Sequence, residues 1–147
     1  MELEFDNSYF MKQAMREAQK ALEEDEVPVG AVVVANQKII ARAYNLTERL
    51  KDVTAHAEMQ AITAAANYLN GKYLKGCTLY VTLEPCLMCA GALFWSQIDR
   101  IVYAANDPQK GFTNSGIQLE RKTVIQSGIL ASEAALLLNR FFQSKRK

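Results

Sequence analysis

Two short motifs constrain this chain more than any other feature. His56 and Glu58 form a His-x-Glu pair around the single histidine, and Pro85, Cys86 and Cys89 form a Pro-Cys-x-x-Cys run further on. One imidazole and two thiolates are ligands that zinc prefers, and three ligands leave one coordination position open for water. Structural zinc sites usually close all four positions with protein ligands, so this set with a spare carboxylate indicates a catalytic zinc site.

Both motifs are predicted to open helices. Cys86 and Cys89 are three residues apart on a helix, so their sulfur atoms project from one face and can share a metal ion. The helix that carries His56 is expected to start near Thr54, and the partial positive charge of two helix N-termini favours ionised thiols. Glu58, in the same first turn, can reach water on the metal without being a ligand itself.

This combination predicts hydrolytic deamination of a purine or pyrimidine. Water activated by Zn²⁺ attacks the amine-bearing carbon, and Glu58 protonates the adjacent ring nitrogen and then the departing amine. Two thiolates cancel the charge of the metal and oppose ionisation of the water, so a carboxylate is needed to take the proton and return it. A zinc-stabilised RNA-binding module without turnover is an alternative, but a structural site has no need of Glu58.

The composition favours one cytoplasmic domain over residues 1–147. Half of the residues are apolar, which is enough for a sizeable core, but the apolar runs are too short to cross a bilayer. The acidic N-terminus lacks the features of a signal peptide. Two of the three cysteines lie in the Cys-x-x-Cys run, which indicates a reducing compartment and metal binding rather than a disulfide scaffold.

The net charge of +1 shows that the chain is not a polycation. A nucleic-acid partner would therefore be held by local basic groups, such as Lys110, the Arg121-Lys122 pair or the terminal Lys145-Arg146-Lys147 run. Basic residues at a terminus are more often simply solvated, so both interpretations stay open at this point.

Hydrophobic periodicity predicts the order α-β-β-α-β-α-β-β-α, a sheet covered by helices on its faces. Strands are expected over 29–34, 38–45, 78–83, 101–105 and 123–126. Helices are expected from a cap at Asn7 or Ser8 to Glu24, from Thr54 to the Asn70-Gly71 pair, from Pro85 to Ser96, and after a cap at Ser132.

Three further expectations concern side chains. The second helix is expected to bury Met59, Ile62, Ala66 and Leu69. The third helix is apolar nearly all round, so it is either central or part of a subunit interface, and Phe94 and Trp95 at its end belong to the core, an interface or a base pocket. Asn45 closes a strand and is, on spacing alone, either a turn residue or a substrate contact.

Several stretches beyond the two motifs carry a family resemblance: Pro28-Val29-Gly30-Ala31-Val32, Thr54-Ala55-His56-Ala57-Glu58, Thr82-Leu83-Glu84-Pro85-Cys86, Cys89-Ala90-Gly91-Ala92, Ala105-Asn106-Asp107 and Phe141-Phe142. Together they cover almost the whole chain and resemble the bacterial tRNA-specific adenosine deaminases of the cytidine-deaminase superfamily. Two departures stand out: the segment 111–122 is shorter than in well-known members, and Phe94-Trp95 replaces a less aromatic pair.

The resemblance implies a three-layer α/β/α sandwich of the cytidine-deaminase type, with a central mixed sheet of about five strands. It also implies a homodimer with one Zn²⁺ per chain that converts the wobble adenosine of a tRNA anticodon to inosine. By the same resemblance, Asn45 would contact the target base, Val29 would wall the pocket and Asp107 would lie near the anticodon loop. A guanine or cytosine/cytidine deaminase that acts on a small molecule is the alternative within the same fold.

Overall fold

The computed structural model describes residues 5–116, 118–119 and 122–146 and shows the expected alternation of helices and strands. The order of elements is that predicted from the sequence, with one short 3₁₀ helix added. Their bounds are α1 (Asn7–Glu23), β1 (Gly30–Ala35), β2 (Lys38–Tyr44), α2 (Ala57–Leu69), β3 (Cys77–Leu83), α3 (Leu87–Ser96), β4 (Arg100–Ala105), the 3₁₀ helix (Phe112–Asn114), β5 (Val124–Ser127) and α4 (Ala131–Lys145).

The strands form a five-stranded mixed sheet in the order β2-β1-β3-β4-β5. Strand β1 is antiparallel to β2 and β3, whereas β3, β4 and β5 run parallel to one another. Asn36 and Gln37 join β1 to β2 with positive φ angles of 51° and 63°, as a tight hairpin turn requires. Because Leu83 pairs with Ala105, the residues that follow β3 and β4 meet at one edge of the sheet.

Alternate residues of β1, β3 and β4 face two different cores. On one face, Ala31 and Val33 of β1 pack in a cluster with Ala61 of α2 and Leu93 of α3. On the other face, Val32 and Val34 pack in a second cluster that includes residues of α1 and α4, namely Phe10, Met11, Ala14 and Ala134. Helices therefore cover both faces of the sheet, and the predicted three-layer α/β/α sandwich is confirmed.

Helix α1 approaches the sheet closely at Gly30. A Cβ atom at this position would lie 2.1 Å from the carbonyl oxygen of Ala14 and 2.3 Å from the backbone nitrogen of Ala18. Only glycine allows this contact between backbones without a shift of α1. The Gly30 of the Pro-Val-Gly run is therefore a packing residue at the start of β1.

The helix starts differ from those expected. Asp6, not Asn7 or Ser8, caps α1, because its carboxylate accepts the N–H of Tyr9 at 2.9 Å. Helix α4 follows Leu130, whose φ is positive, rather than a cap at Ser132. Pro85 precedes the N-cap residue of α3 instead of lying in the first turn. Propensity marks the neighbourhood of a helix start, but the chain direction entering the helix decides which residue caps it.

The inward face of α2 also differs from the expectation. The helix begins at Ala57 rather than near Thr54, and it buries Ala57, Ala61 and Ala65, with Ile62 and Ala66 partly buried. Leu69 is exposed, and Met59 is only half-buried. Small alanine side chains let α2 lie close to β1 and β2, which the larger residues predicted to face the sheet would prevent.

None of the helices in the described ranges combines the length and the apolar character that crossing a membrane requires.

Candidate active site

The two motifs of the sequence meet where α2 and α3 begin. His56 is the N-cap residue of α2, Cys86 is the N-cap residue of α3, and Cys89 lies in the first turn of α3. The Nδ1 atom of His56 is 3.7 Å from the Sγ atom of Cys86 and 3.5 Å from that of Cys89. His56 and Cys86 therefore precede their helices, one residue outside the turns in which they were expected.

The spacing of these three atoms fits a zinc ion. Usual Zn–N and Zn–S bond lengths and a tetrahedral angle place a nitrogen and a sulfur ligand about 3.6 Å apart. All ligand atoms of His56, Cys86 and Cys89 lie within 4.8 Å of one another, so one ion could contact all three. The donor set is also chemically suitable, because imidazole and thiolate ligands favour zinc over magnesium or calcium.

The two thiols influence each other's ionisation strongly. A hydrogen bond from Cys89, helped by one from His56, lowers the pKa of Cys86 to about 4. The same hydrogen bond to Cys86, together with burial, raises the pKa of Cys89 above its ordinary value. The hydrogen bond between His56 and Cys86 also raises the pKa of His56 above its ordinary value. A divalent cation at this position would allow both thiols to ionise together.

Glu58 lies beside this group, in the first turn of α2. Its side chain is buried, with 4% of its surface exposed, and it is not one of the three clustered ligands. Burial raises the pKa of Glu58 to about 7, against an ordinary value of 4.5. A carboxyl group with a pKa near neutrality can both accept and donate a proton at pH 7, as a general acid–base requires.

A cleft of about 570 Å³ opens over His56, Glu58 and Cys86. Its walls come from the start of β1, the end of β2, the loop after β4 and one side of α4. The residues that line it include Val27, Val29, Asn45, Leu83, Glu84, Asn106, Asp107, Pro108, Gln109, Lys110, Ala135, Leu138, Asn139 and Phe142. The cleft is large enough for a nucleobase and its sugar.

All three substrate-contact candidates from the sequence line this cleft. Asn45 is buried directly after β2, and its Oδ1 atom has no hydrogen-bond partner within the described part of the chain. Val29 is buried just before β1. The carboxylate of Asp107 accepts the backbone N–H groups of Gln109 at 3.1 Å and Lys110 at 3.0 Å, so it shapes its own loop.

The contribution of α4 to the cleft could not be predicted from the two motifs. Ala135, Leu138, Asn139 and Phe142 follow the i, i+3, i+4, i+7 spacing of one helix face, and all four line the cleft. Helical periodicity predicts that Ala134, Leu137, Leu138 and Phe141 face inward. Three of them are buried, and Leu138 is half-buried at the cleft. The signal for a second stripe is present in the sequence, but the polar Asn139 interrupts its apolar character.

Two buried glutamates were also missed. Glu84 lies at the edge of the cleft, directly after β3. Glu26 accepts the backbone N–H groups of Glu48 at 3.0 Å and Arg49 at 2.8 Å, so it orders the loop between Asn45 and His56. Both glutamates lie next to apolar residues in the chain, which is the available signal for burial, but their partners are distant in sequence.

The candidate basic residues are dispersed. Lys110 is exposed at the cleft, whereas Lys145 lies at the end of α4, where its Nζ atom is 2.6 Å from the Oδ2 atom of Asp25. Lys122 and Arg146 are exposed. Arg121 and Lys147 lie outside the described residues.

The aromatic pair at the end of α3 is not part of the core. Phe94 is 41% exposed and Trp95 is 77% exposed. Neither side chain lines the cleft of its own chain. Of the three interpretations of this pair, the core is therefore excluded, and neither ring lines the cleft over His56, Glu58 and Cys86.

Comparison with known proteins identifies the family. The profile of the cytidine and deoxycytidylate deaminase zinc-binding region matches residues 5–105. The tRNA-specific adenosine deaminase of Aquifex aeolicus (strain VF5) is 46% identical over 143 residues, which cover 94% of this chain and 95% of that protein. The enzyme of the same name from Bacillus subtilis (strain 168) is 44% identical over 144 residues, which cover 94% and 89% of the two chains.

A solved structure supports the same conclusion. It comes from biochemical and structural studies of A-to-I editing by tRNA:A34 deaminases at the wobble position of transfer RNA. It superposes with a TM-score of 0.83 at 43% identity, covering 89% of this chain and 99% of the other. The resemblance recognised from the sequence motifs is thereby confirmed, and this chain belongs to the tRNA-specific adenosine deaminases, a family of enzymes that carry the cytidine and deoxycytidylate deaminase zinc-binding region.

Proposed function

We propose that this chain is a zinc-dependent hydrolase that converts adenosine to inosine at the wobble position of a tRNA anticodon. The observation that carries the proposal is the buried Glu58 beside the His56, Cys86 and Cys89 group at the base of an open cleft. A metal-binding module without turnover has no use for a buried carboxyl group whose pKa is raised to about 7.

In this proposal His56, Cys86 and Cys89 hold one Zn²⁺ per chain. The ion, when bound, lowers the pKa of water and makes it nucleophilic near pH 7. Glu58 moves two protons in turn. It accepts one from the attacking water and gives it to the ring nitrogen next to the reacting carbon. It then accepts the second proton of the same oxygen and gives it to the amine, which leaves as ammonia. Burial suits Glu58 to this role, because the pKa of the side chain allows either direction of transfer near pH 7.

Asn45 and the apolar walls orient the base. The unpaired Oδ1 atom of Asn45 is a buried acceptor that a donor of the base can satisfy. Val29, just before β1, and Leu138 and Phe142 from α4 provide apolar surface for the faces of the ring. A flipped-out base is recognised by this combination of polar edge contacts and packing.

The walls of the cleft favour RNA over a free base. The exposed loop 106–110 and the exposed Phe142 surround the opening, and Lys110 adds a positive charge there. A hairpin loop presents an unpaired adenosine at little unstacking cost, and contacts outside the cleft then hold the rest of the loop. Asp107, with its carboxylate turned into its own loop, places Gln109 and Lys110 at this opening.

The homodimer is part of the proposal. Leu87, Phe94 and Trp95 lie on one side of α3, and their exposed fractions are 51%, 41% and 77%. Large exposed apolar side chains on a helix that begins beside the proposed metal ligands are typical of a subunit interface. We place the enzyme in the cytoplasm, where tRNA is found and where cysteine ligands stay reduced.

The proposal is tested by incubating the purified protein with an anticodon stem-loop that carries a wobble adenosine. Inosine is measured by mass spectrometry after nuclease digestion, with free adenosine, guanine, cytosine and cytidine as competing substrates. The stem-loop should be deaminated far faster than any of the small molecules, and Glu58→Gln, the negative control, should form inosine at least about a hundredfold more slowly than the wild type. Efficient turnover of free guanine or cytosine with an untouched stem-loop would establish the small-molecule deaminase instead.

Salt provides a second readout. Contacts from Lys110, Lys145 and Arg146 to phosphates are electrostatic, so the rate on the stem-loop should fall as salt rises. The double substitution Lys145→Ala with Arg146→Ala should weaken use of the RNA without changing the zinc content. Equal activity of the double variant at all salt concentrations would exclude a role of these residues in RNA binding.

A further inference from the structure

Within the described residues, the side-chain hydrogen bonds of the buried Glu84 all go to one loop. It directly precedes the Pro-Cys-x-x-Cys motif, and only 3% of its surface is exposed. Its Oε1 atom accepts the backbone N–H of Asp107 at 3.0 Å. Its Oε2 atom accepts the backbone N–H of Thr113 at 3.0 Å and the hydroxyl group of Thr113 at 2.6 Å. Each oxygen atom thus holds one end of the segment 107–113, here called the clamped loop.

The middle of the clamped loop lies directly on the same carboxylate. A Cβ atom at Gly111 would lie 2.2–2.3 Å from the carboxyl atoms of Glu84, so a side chain at position 111 would displace either the loop or the glutamate. The loop is also joined to the motif by the N–H of Phe112, which donates to the carbonyl oxygen of Pro85 at 2.9 Å. A backbone bridge between Gly111 and Cys86 completes the connection.

The clamped loop forms one wall of the cleft. Asp107, Pro108, Gln109 and Lys110 all line it. The hydrogen bonds of Glu84 therefore set the distance between this wall and the segment that carries Cys86. A shift of the loop would change the width of the cleft without touching His56 or Glu58.

The chemistry of Glu84 suits this role better than a purely structural one. A buried carboxylate is unfavourable unless it is fully hydrogen-bonded, and within the described residues no lysine, arginine or histidine forms an ion pair with Glu84. Three neutral donors from the clamped loop provide the compensation, and hydrogen bonds to a charged acceptor are the strong and directional ones. An apolar residue would pack here, but it would leave the N–H groups of Asp107 and Thr113 without this acceptor.

We propose that Glu84 is a positioning residue for substrate binding, which holds the clamped loop as a fixed wall of the cleft relative to Cys86. The proposal rests on the proposed function for its substrate, an RNA stem-loop. Glu84 acts through the loop and contacts none of the reacting groups, so its loss changes how well the RNA is held more than how fast the bound base reacts.

The first test is a split between KM and kcat in Glu84→Gln. The amide has the size of the carboxylate, but it presents an NH₂ group to donors of the loop. We expect KM for the stem-loop to rise at least about tenfold, kcat to change by less than about threefold, and zinc to stay at one per chain. Glu17→Gln is the matched control, because Glu17 is equally buried on α1 and does not line the cleft. It should leave both constants unchanged.

Gly111→Ala tests the same contact from the other side. It displaces the loop while Glu84 keeps its carboxylate, so KM should rise and kcat should change little, as in Glu84→Gln. Both substitutions disturb the same contact, so their effects on KM should not add. The KM of the double variant should be no more than about threefold above that of the single variant with the higher KM. Fully multiplicative effects on KM would show that the two residues act independently, which would overturn the proposal.

Hydrogen–deuterium exchange provides a readout that does not depend on the substrate. In Glu84→Gln the amides of Asp107 and Thr113 should exchange faster, while amides of β1 and β3 should keep their protection. If the wild-type enzyme does not deaminate the stem-loop, the proposed function fails, and the exchange result alone decides the proposal for Glu84. Unchanged exchange in the clamped loop, an unchanged KM in an enzyme that does act on the stem-loop, or loss of zinc in Glu84→Gln would each overturn the proposal.

Discussion

The Nδ1 atom of His56 lies 3.5 Å from the Sγ atom of Cys89, although 33 positions separate these residues in the chain. This contact exists because α2 and α3 begin side by side on the same face of the sheet. The N-terminal ends of both helices direct their unpaired N–H groups and partial positive charge toward the place where the thiolates lie. The ligand group is thus a property of how the two helices are placed, as well as of the side chains that they carry.

Replacement of Cys86 by alanine should remove the metal. Two remaining ligands bind zinc poorly, and the metal joins the starts of two helices, so its loss should also lower stability. We expect less than about a tenth of the wild-type zinc by elemental analysis and a fall in Tm of about 5 °C or more. Cys77→Ala is the control, since Cys77 is buried but lies outside the ligand group. Full zinc occupancy in Cys86→Ala would disprove the ligand assignment.

Glu58→Gln should separate the chemistry from the structure. The amide keeps the shape of the side chain but cannot transfer protons, so kcat should fall by roughly 10²–10⁴-fold or more. Zinc content, circular dichroism and the affinity for the stem-loop should stay close to those of the wild type. A rate within a few-fold of the wild type would rule out the proton path through Glu58.

Asn45→Leu should lower activity without lowering stability. The buried Oδ1 atom of Asn45 has no partner in the described structure, and such an acceptor costs about 1–3 kcal/mol. Leucine is similar in size and removes this acceptor, so the free energy of unfolding should be equal or higher. The KM for the stem-loop should rise at least about tenfold, because the base loses its polar contact. A clear loss of stability at unchanged KM would assign Asn45 a structural role instead.

Trp95→Glu should convert the proposed dimer to a monomer. Trp95 is more exposed than Phe94, the other aromatic residue of α3, and a charge there would be buried without a partner in an interface. Sedimentation at micromolar concentration should show a dimer for the wild type and the 16.4 kDa species for the variant. Leu136→Glu provides a comparison, because Leu136 is an exposed apolar residue on α4 that does not line the cleft. A wild-type protein that sediments only as the 16.4 kDa species would contradict the dimer.

The order of the helices and strands could be predicted from the sequence. The residues at which most of them begin and end could be predicted only approximately. Alternating and helical periodicities gave the order of helices and strands correctly, since side-chain burial repeats with the period of the local backbone. The residues that precede α1 and α4, Asp6 and Leu130, were predicted wrongly. The end of α2 at Asn70, which has a left-handed conformation, was predicted correctly. A cap depends on where the preceding chain comes from, and that direction is set by contacts far away in sequence.

The proposed donor set and the proposed acid could be named from the sequence alone, because the residue types of His56, Glu58, Cys86 and Cys89 and the spacing within the two motifs are typical of few kinds of chemistry. Their mutual distances, the burial of Glu58 and the contribution of α4 to the cleft were decided by the tertiary structure. Glu84 illustrates the difference: its residue type is visible in the sequence, but its partners Asp107 and Thr113 follow a different strand. They reach it because β3 and β4 run parallel and end at one edge of the sheet. Such long-range pairing depends on the packing of the whole chain, which local residue patterns do not specify.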